Sequence, residues 1–199
     1  TELESRTKMD NEQITLIKKN LMKKLTPSRY EHTLGVAYTS AALSMRYGYD
    51  MDKAFMAGLL HDCAKYLSGE RLLEKCARFG LEVSEAEKRQ PDLLHAKVGA
   101  YYAEYRHGVT DPEICHAIRC HTTGCPDMNL LDMIVYVADY IEPNRDKAPR
   151  LPYYRELAFK DLRQCTYEIL EGTIEYVRSK NGTIDDTTVK AYESLKAKI

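Results

Sequence analysis

The sequence predicts an all-α, single-domain, compact bundle of many helices. Apolar residues recur at helical spacing along most of the chain, and no segment of strand length alternates apolar with polar residues. Capping residues and prolines mark the start of one segment after another, and no internal repeat of fixed period is visible. With 199 residues the chain can bury one core and does not need a second, so we interpret residues 1–199 as one domain.

Local signals delimit each predicted helix. Side-chain oxygens of Ser, Thr, Asp and Asn cap helix starts, proline fits the first turn, and glycine favours the end. In chain order the predicted helices are Asp10 or Asn11 to Thr26-Pro27, Thr26-Pro27-Ser28 to Gly48, Asp50 or Asp52 to His61-Asp62, about Ser68 to Phe79, one from Pro91-Asp92, one from Asp111-Pro112-Glu113, Asn129 to Ile141, Tyr153 to Lys180 with a break near Asp161, and Asp186 to Lys198. The helix from Asn129 to Ile141 is apolar almost all round and is predicted to be central. The polar stretch from Glu82 to Gln90 is interpreted as a solvated connection.

Composition excludes several classes of protein. The net charge of -1, from 29 basic and 30 acidic residues, argues against binding nucleic acid by bulk electrostatics. The longest apolar run, residues 130–141, is far short of the ~20 residues that a membrane span requires, so no membrane partner is expected. Six cysteines without a C-x-x-C pair, and no signal peptide, predict a reduced cytoplasmic protein. Met9 is a candidate natural start, which would make residues 1–8 an extension or a tag remnant.

The adjacent pair His61-Asp62 is the strongest chemical signal. It closes the apolar run from Ala54 to Leu60, which places a carboxylate at the inner end of a segment that should be buried. A buried carboxylate is costly unless it takes a proton, meets a positive charge or binds a metal. His32 on the preceding helix and Asp139 in the central apolar helix can complete a set of two imidazoles and two carboxylates. Such a set suits a transition metal that activates water, and Asp62 is the candidate to bridge two ions.

Further residues are predicted to surround this set. His95 and His121 occupy comparable positions on two other helices. Lys65 follows Asp62 by three residues, Arg29 precedes His32 by three, and Arg145 follows the helix of Asp139. These three cations are expected to face phosphate at the metal site, so hydrolysis of a phosphate compound is the predicted reaction.

These motifs resemble a known family. The series His32, His61-Asp62, Asp139 resembles the H…HD…D signature of the HD-domain superfamily of metal-dependent phosphohydrolases, and the flanking sequences resemble its bacterial YqeK branch. The motifs that carry the second resemblance are Arg29-Tyr30-Glu31-His32-Thr33, Leu94-His95-Ala96-x-x-Gly99-Ala100, Ala117-Ile118-Arg119-x-His121-Thr122-Thr123-Gly124, and the ten residues from Tyr136 to Arg145. The likeness covers about residues 21–170, and Cys125 stands where a more polar residue is expected.

The resemblance implies an HD-domain bundle and a symmetrical bis(5′-nucleosyl)-tetraphosphatase, which cleaves diadenosine tetraphosphate into two ADP, or a related nucleotide substrate into GDP. It implies iron bound by His32, His61, Asp62 and Asp139. It also implies that His95 and His121 act in catalysis by facing the phosphates or a second ion. Asp62 and Lys65 are the other expected catalytic residues. Arg29, Tyr140 and Arg145 would hold the nucleotide, with His32, His95 and His121 also near the substrate.

Several alternatives stay open at this point. His95 and His121 could be satisfied core histidines, and Arg29, Lys65 and Arg145 could be surface charges paired with carboxylates. Mn, Co or Zn could replace iron, with one ion or two. The site could serve a nucleotidase, a phosphodiesterase or a sensor that binds a nucleotide without turnover. The sequence does not fix the oligomeric state, and a homodimer is left open.

Overall fold

The fold is built from helices alone within residues 11–199, the part of the chain that the computed structural model describes. The predictions of an extension at residues 1–8 and of a cap at Asp10 lie outside these described residues. The α-helices are α1 (Asn11–Lys24), α2 (Pro27–Tyr47), α3 (Met51–Leu60), α4 (Gly69–Phe79), α5 (Glu85–Arg89), α6 (His95–His107), α7 (Pro112–Cys120), α8 (Leu130–Ile141), α9 (Leu151–Leu157), α10 (Leu162–Ser179) and α11 (Asp186–Lys196), with a 3₁₀ turn at Pro91–Leu94 before α6. The predicted all-α class is confirmed.

Side-chain caps fix the helix starts that position the functional residues. Thr26 accepts from the backbone N–H of Arg29 at the start of α2, and Asp50 caps α3 in the same way. Asn129 forms a reciprocal capping box with Asp132 at the start of α8. Asp161 caps α10, which confirms the predicted break between α9 and α10. Each cap satisfies backbone donors that would otherwise be free, so these helix starts follow from local sequence.

Helix α8 is the central element of the bundle. It packs against α2, α3, α7 and α10, and most of its residues are buried. The buried apolar residues of the helices form one hydrophobic cluster. The predicted central position of this helix is therefore confirmed. Although α8 is apolar, no helix within residues 11–199 is both long and apolar enough to cross a membrane.

Helices α2 and α3 approach each other very closely at Gly58. A Cβ atom added at Gly58 would lie 2.8 Å from the Cα of Ala37 and 2.9 Å from the Oγ of Ser40. Since real Cβ atoms do not tolerate such contacts with backbone, glycine is required at this crossing. The close approach brings the C-terminal end of α3, which carries His61, against His32 on α2.

The stretch from Glu82 to Gln90 departs from the prediction of a solvated connection. It contains the short helix α5, and Glu87 in that helix is buried. Ser84 and Glu87 form a capping box, and the Nζ of Lys97 on α6 lies 2.8 Å from a Glu87 carboxylate oxygen. The other residues of the stretch are exposed or half-buried, as a solvated connection predicts. The interpretation misses the burial of Glu87, whose carboxylate meets a cation from another helix that stabilises its charge.

Candidate metal centre

Six ionisable side chains from five parts of the fold meet at one point of the core. All except Asp139 are buried, and they are His32 on α2, His61 at the C-cap of α3, Asp62 in the following turn, His95 at the first residue of α6, His121 at the C-cap of α7, and Asp139 on α8. The structure thus brings together the four predicted metal ligands and both additional histidines. Their roles as ligands and catalytic groups stay predictions.

Asp62 lies between two pairs of histidines. Its Oδ2 atom is 3.4 Å from the Nε2 of His61 and 3.9 Å from the Nε2 of His32. Its Oδ1 atom is 3.1 Å from the Nε2 of His95 and 3.6 Å from the Nε2 of His121. Each carboxylate oxygen thus faces a different imidazole pair, which is the arrangement expected of a bridging carboxylate.

Asp139 completes one side of this arrangement. Its Oδ1 atom lies 3.0 Å from the Nε2 of His32 and 3.9 Å from the Nε2 of His61. Two groups therefore have ligand atoms within 4.8 Å of one another: His32 with His61 and Asp139, and His61 with Asp62 and His121. Because His61 belongs to both groups, two adjacent ions or a single ion are each compatible with the side chains.

The hydrogen-bond partners of the buried histidine nitrogens show whether a metal ion fits at the centre. The Nδ1 of His32 lies 3.0 Å from the carboxylate of Glu142, and the Nδ1 of His61 lies 2.6 Å from the carbonyl oxygen of Gly58. With Nδ1–H donating to these acceptors, each Nε2 presents its lone pair toward the centre. Both Nε2 atoms are buried and have no hydrogen-bond partner of acceptable geometry. Buried nitrogens rarely stay unpartnered, so they fit a metal ion as their missing partner.

The electrostatics of the centre keep its carboxylates ionised. Burial would raise the pKa of Asp62, but His61, His121 and His95 hold the pKa of this carboxyl well below its usual value. Burial also acts against ionisation of Asp139, and His32 and His61 outweigh it, so the pKa of Asp139 is lowered. Burial lowers the pKa of His32, whereas the carboxylates of Asp139 and Glu142 raise it above its ordinary value. Anionic carboxylates at neutral pH are what a cationic ligand requires.

Glu142 is a neighbour of the centre to which the sequence analysis assigned no role. It is 1% exposed, and its Oε1 accepts the hydrogen bond from His32 while its Oε2 accepts from the backbone N–H of Asn144 at 2.7 Å. A carboxylate in this position fixes the ring orientation and tautomer of a metal-binding histidine and increases its basicity. The sequence does contain a signal, because Glu142 is a carboxylate directly after the apolar helix that carries Asp139. Its partner could not be predicted, because the contact with His32 joins two helices that are distant in sequence.

We expect Gly35→Ala to weaken metal binding. A Cβ atom at Gly35 on α2 would lie 2.2 Å from the Oε2 and 3.0 Å from the Cδ of Glu142, so this buried carboxylate would have to leave the position in which it accepts from His32. Loss of such an orienting group typically lowers metal affinity about 10- to 100-fold. Metal titration of the purified variant measures this effect, and overpacking should also lower its free energy of unfolding by about 1–3 kcal/mol.

Gly172→Ala is the matched control. Gly172 is also helical, but an added Cβ atom there would meet only the Tyr154 hydroxyl oxygen at 4.0 Å. The control should keep wild-type metal affinity and gain about 0.5–1 kcal/mol in the free energy of unfolding from lower chain entropy. Unchanged metal affinity in Gly35→Ala would remove the role assigned to Glu142.

Two arginines border the centre on its half-exposed side. The Nη1 of Arg29 donates to the Oδ2 of Asp62 at 3.0 Å, and the Nη2 of Arg145 donates to the Oδ1 of Asp139 at 2.8 Å. Their side chains are 35% and 38% exposed. Both arginines are therefore paired with carboxylates, which was one of the alternatives left open by the sequence. They are also accessible to a ligand that approaches the centre.

Lys65 and Tyr140 lie at the edges of the centre. The Nζ of Lys65 donates to Asp92 at 2.7 Å and lies 3.3 Å from the Nδ1 of His95, on the ring edge opposite the Nε2 that faces Asp62. The hydroxyl of Tyr140 donates to the carbonyl of Pro149 at 3.4 Å, and its ring lines a neighbouring cavity of ≈ 640 Å³. Their assigned roles toward the substrate stay predictions.

Two other residues near the centre carried no role in the sequence analysis. The Oγ1 of Thr122 lies 3.3 Å from the Nε2 of His95 and 3.1 Å from the Nε2 of His121. Arg155 donates to the carbonyl oxygens of Ile141, Glu142 and Arg145 at 2.8–3.0 Å. It thereby holds the turn that presents Glu142 and Arg145, a contact that no local pattern reveals.

Comparison with known proteins identifies the family. A family model described as the HD domain matches residues 29–144, more than half of the chain. The chain belongs to the HD-domain family. The HD domain implies a divalent metal, in agreement with the histidine and aspartate groups of the centre. The resemblance predicted from the motifs is thereby confirmed.

Relatives of this HD-domain protein match over most of their length. A protein of Bacillus subtilis named "Bis(5'-nucleosyl)-tetraphosphatase, symmetrical" is 40% identical over 171 residues, which cover 86% of this chain and 91% of the relative. A Staphylococcus aureus protein of the same name is 32% identical, with 83% of this chain and 86% of the relative covered. The crystal structure of a predicted HD superfamily hydrolase involved in NAD metabolism from Clostridium acetobutylicum matches with a TM-score of 0.91 and 38% identity, covering 94% of this chain and 98% of that one.

Proposed function

We propose that this HD-domain protein is a metal-dependent hydrolase that cleaves diadenosine tetraphosphate symmetrically into two ADP. The names of the B. subtilis and S. aureus relatives support this substrate and product. The observation that carries the chemistry is Asp62, whose two oxygens face two histidine pairs, beside the unpartnered Nε2 atoms of His32 and His61. Such a donor set serves a hydrolase that uses a metal to activate water.

His32, His61, Asp62 and Asp139 would hold the metal. A divalent ion bound there supplies an activated water at neutral pH and stabilises negative charge on the phosphoryl group. Iron is our choice of metal, because imidazole and carboxylate ligands without thiolate suit it, with Mn, Co and Zn as the alternatives to be measured.

His95 and His121 would take part in the same reaction. The Nδ1 of His121 lies 2.7 Å from the carbonyl oxygen of Ile118, and the Nδ1 of His95 lies against the carbonyl oxygen of Asp92. When each Nδ1–H donates to its carbonyl, each Nε2 offers a lone pair toward Asp62. A lone pair suits a second ion better than a phosphate oxygen, and this supports a two-ion centre with Asp62 as the bridge.

Arg29 and Arg145 would bind the phosphates of the substrate. The net charge of -1 offers no general attraction for a polyanion, so the attraction must be local. Both side chains are more than a third exposed, and each guanidinium group also contacts Asp62 or Asp139. Guanidinium groups hold phosphate through paired hydrogen bonds, which fixes the scissile phosphate against the centre. We place Tyr140 beside them as a contact of the nucleotide.

The proposal is tested by product analysis. The purified chain, loaded in turn with iron, manganese, cobalt or zinc, is incubated with diadenosine tetraphosphate, and the nucleotides are separated by anion-exchange chromatography. We expect ADP as the sole product, and no product after treatment with a chelator. AMP together with ATP would overturn symmetrical cleavage, and no product with any of the four metals would overturn the proposed substrate.

The six cysteines, none of them in a disulfide, support a cytoplasmic location for this enzyme.

A further inference from the structure

A second cluster of metal-ligating side chains lies at the C-terminal end of α7, separate from the six residues of the first centre. His116 and Cys120 are four residues apart and share one face of α7, and Cys125 returns to them across the following turn. Their ligand atoms lie within 4.8 Å of one another. Cys120 and Cys125 are buried, and His116 is on the solvent side of the cluster.

The histidine of this cluster is oriented as in a metal site. The Nδ1 of His116 lies 2.9 Å from the Oδ1 of Asp132, which is fully buried. The Oδ2 of Asp132 accepts from the backbone N–H of Asn129 at 2.9 Å, so the carboxylate itself is fixed by the cap of α8. A carboxylate that accepts Nδ1–H directs the other ring nitrogen, Nε2, to a metal ion.

The spacing of the donor atoms matches zinc. In a tetrahedral site with Zn–S of about 2.3 Å and Zn–N of about 2.0 Å, a sulfur and a nitrogen lie about 3.5 Å apart. The Nε2 of His116 lies 3.7 Å from the Sγ of Cys120, and the Nδ1 of the same ring lies 3.8 Å from this sulfur. The Nε2 spacing is close to the value for zinc, although the sulfur is about equally far from both ring nitrogens. Two thiols and one imidazole form a soft donor set, which suits zinc better than hard cations such as manganese. A cavity of ≈ 250 Å³, lined by His116, Cys120 and Cys125, gives solvent access to the cluster.

We propose that His116, Cys120 and Cys125 bind a zinc ion, with Asp132 orienting His116 and a water molecule as the fourth ligand. Each thiol releases its proton to solvent when zinc binds, because thiolate is the ligand. The ion would close the turn from Cys120 to Cys125, which Gly124 shapes with a positive φ of 67° and a hydrogen bond to the carbonyl of Cys120 at 2.8 Å. Since this turn carries His121 and Thr122, the zinc would stabilise one wall of the first centre.

Cobalt(II) spectroscopy separates this site from the first centre. The purified full-length chain, kept reduced, is titrated with cobalt(II), and the near-ultraviolet thiolate-to-cobalt charge-transfer band is recorded. The first centre has only nitrogen and oxygen donors, so it gives no such band whatever it binds. We expect the band to reach a plateau that corresponds to one thiolate-bound cobalt per chain, in addition to any cobalt bound without a band at the first centre. The band should disappear in Cys120→Ser and Cys125→Ser, and zinc should displace it.

Cys115→Ser is the matched control. Cys115 precedes His116 on α7, but its Sγ contacts the carbonyl of Val109 instead of the cluster, so the band should be unchanged. His116→Gln changes the solvent-exposed residue of the cluster, so among these variants it should disturb folding least. It should keep the charge-transfer band, because both thiols remain. Its cobalt affinity should fall by more than about tenfold, which is the smallest loss expected when only a residue that orients a metal ligand is removed. No band in the wild-type chain, or a band retained in Cys120→Ser, would overturn the proposal.

Discussion

His61→Ala is expected to abolish metal binding at the first centre and to lower the turnover of diadenosine tetraphosphate by about 10³-fold or more. His61 is the residue common to both groups of ligand atoms, and its Nε2 is buried without a partner. Its removal therefore takes one ligand from each of the two groups. A metal contributes several kcal/mol of transition-state stabilisation, and every 1.36 kcal/mol corresponds to about tenfold in rate.

The helical fold should survive this substitution. The carbonyl of Gly58 loses the His61 donor, which costs about 1–3 kcal/mol in the free energy of unfolding. Elemental analysis, nucleotide chromatography and circular dichroism measure metal, turnover and helix content on the same sample. His107→Ala is the control, because His107 also lies at a helix end, is half-buried and does not belong to either group. Turnover at the wild-type rate in His61→Ala would contradict the assignment of the centre.

The order and starts of the helices could be predicted because caps are local. Thr26, Asp50, Asp111 and Asn129 each accept hydrogen bonds from backbone N–H groups two or three residues ahead, so the pattern can be read without knowing the fold. Helix α5 was missed for the opposite reason. The burial of Glu87 depends on Lys97 of another helix, and periodicity carries no information about such a partner.

The same distinction separates the predicted from the missed parts of the centre. Asp62 and Asp139 could be found because each places a carboxylate in or beside an apolar run, where it needs a partner. Glu142 escaped notice because it reaches His32 across 110 positions of sequence. The spacing of Lys65, one helical turn from Asp62, does bring it to the edge of the centre, where its Nζ lies 3.3 Å from the Nδ1 of His95. Its hydrogen bond to Asp92 could not be predicted from that spacing, and its role toward the substrate stays a prediction.

Asp62→Asn is also expected to lower turnover by about 10³-fold, but it should lose fewer metal ions than His61→Ala does. The variant keeps His32, His61 and Asp139, so the group formed by these three residues can still bind one ion. The amide lacks the negative charge that faces both histidine pairs and Arg29, so an ion on the side of His95 and His121 should be lost. Asparagine has the size of aspartate, and this change therefore tests charge and bridging with little effect on packing.

Metal content and turnover together distinguish the two variants. If Asp62 bridges two ions, His61→Ala loses both ions, whereas Asp62→Asn keeps one ion and still fails to turn over substrate. Asp185→Asn is the matched control, since Asp185 is a buried carboxylate that caps α11, and asparagine caps a helix equally well. Two ions retained with wild-type turnover in Asp62→Asn would exclude the bridge. The carboxylate would then only balance the charge of the surrounding imidazoles, and catalysis would depend on the group formed by His32, His61 and Asp139.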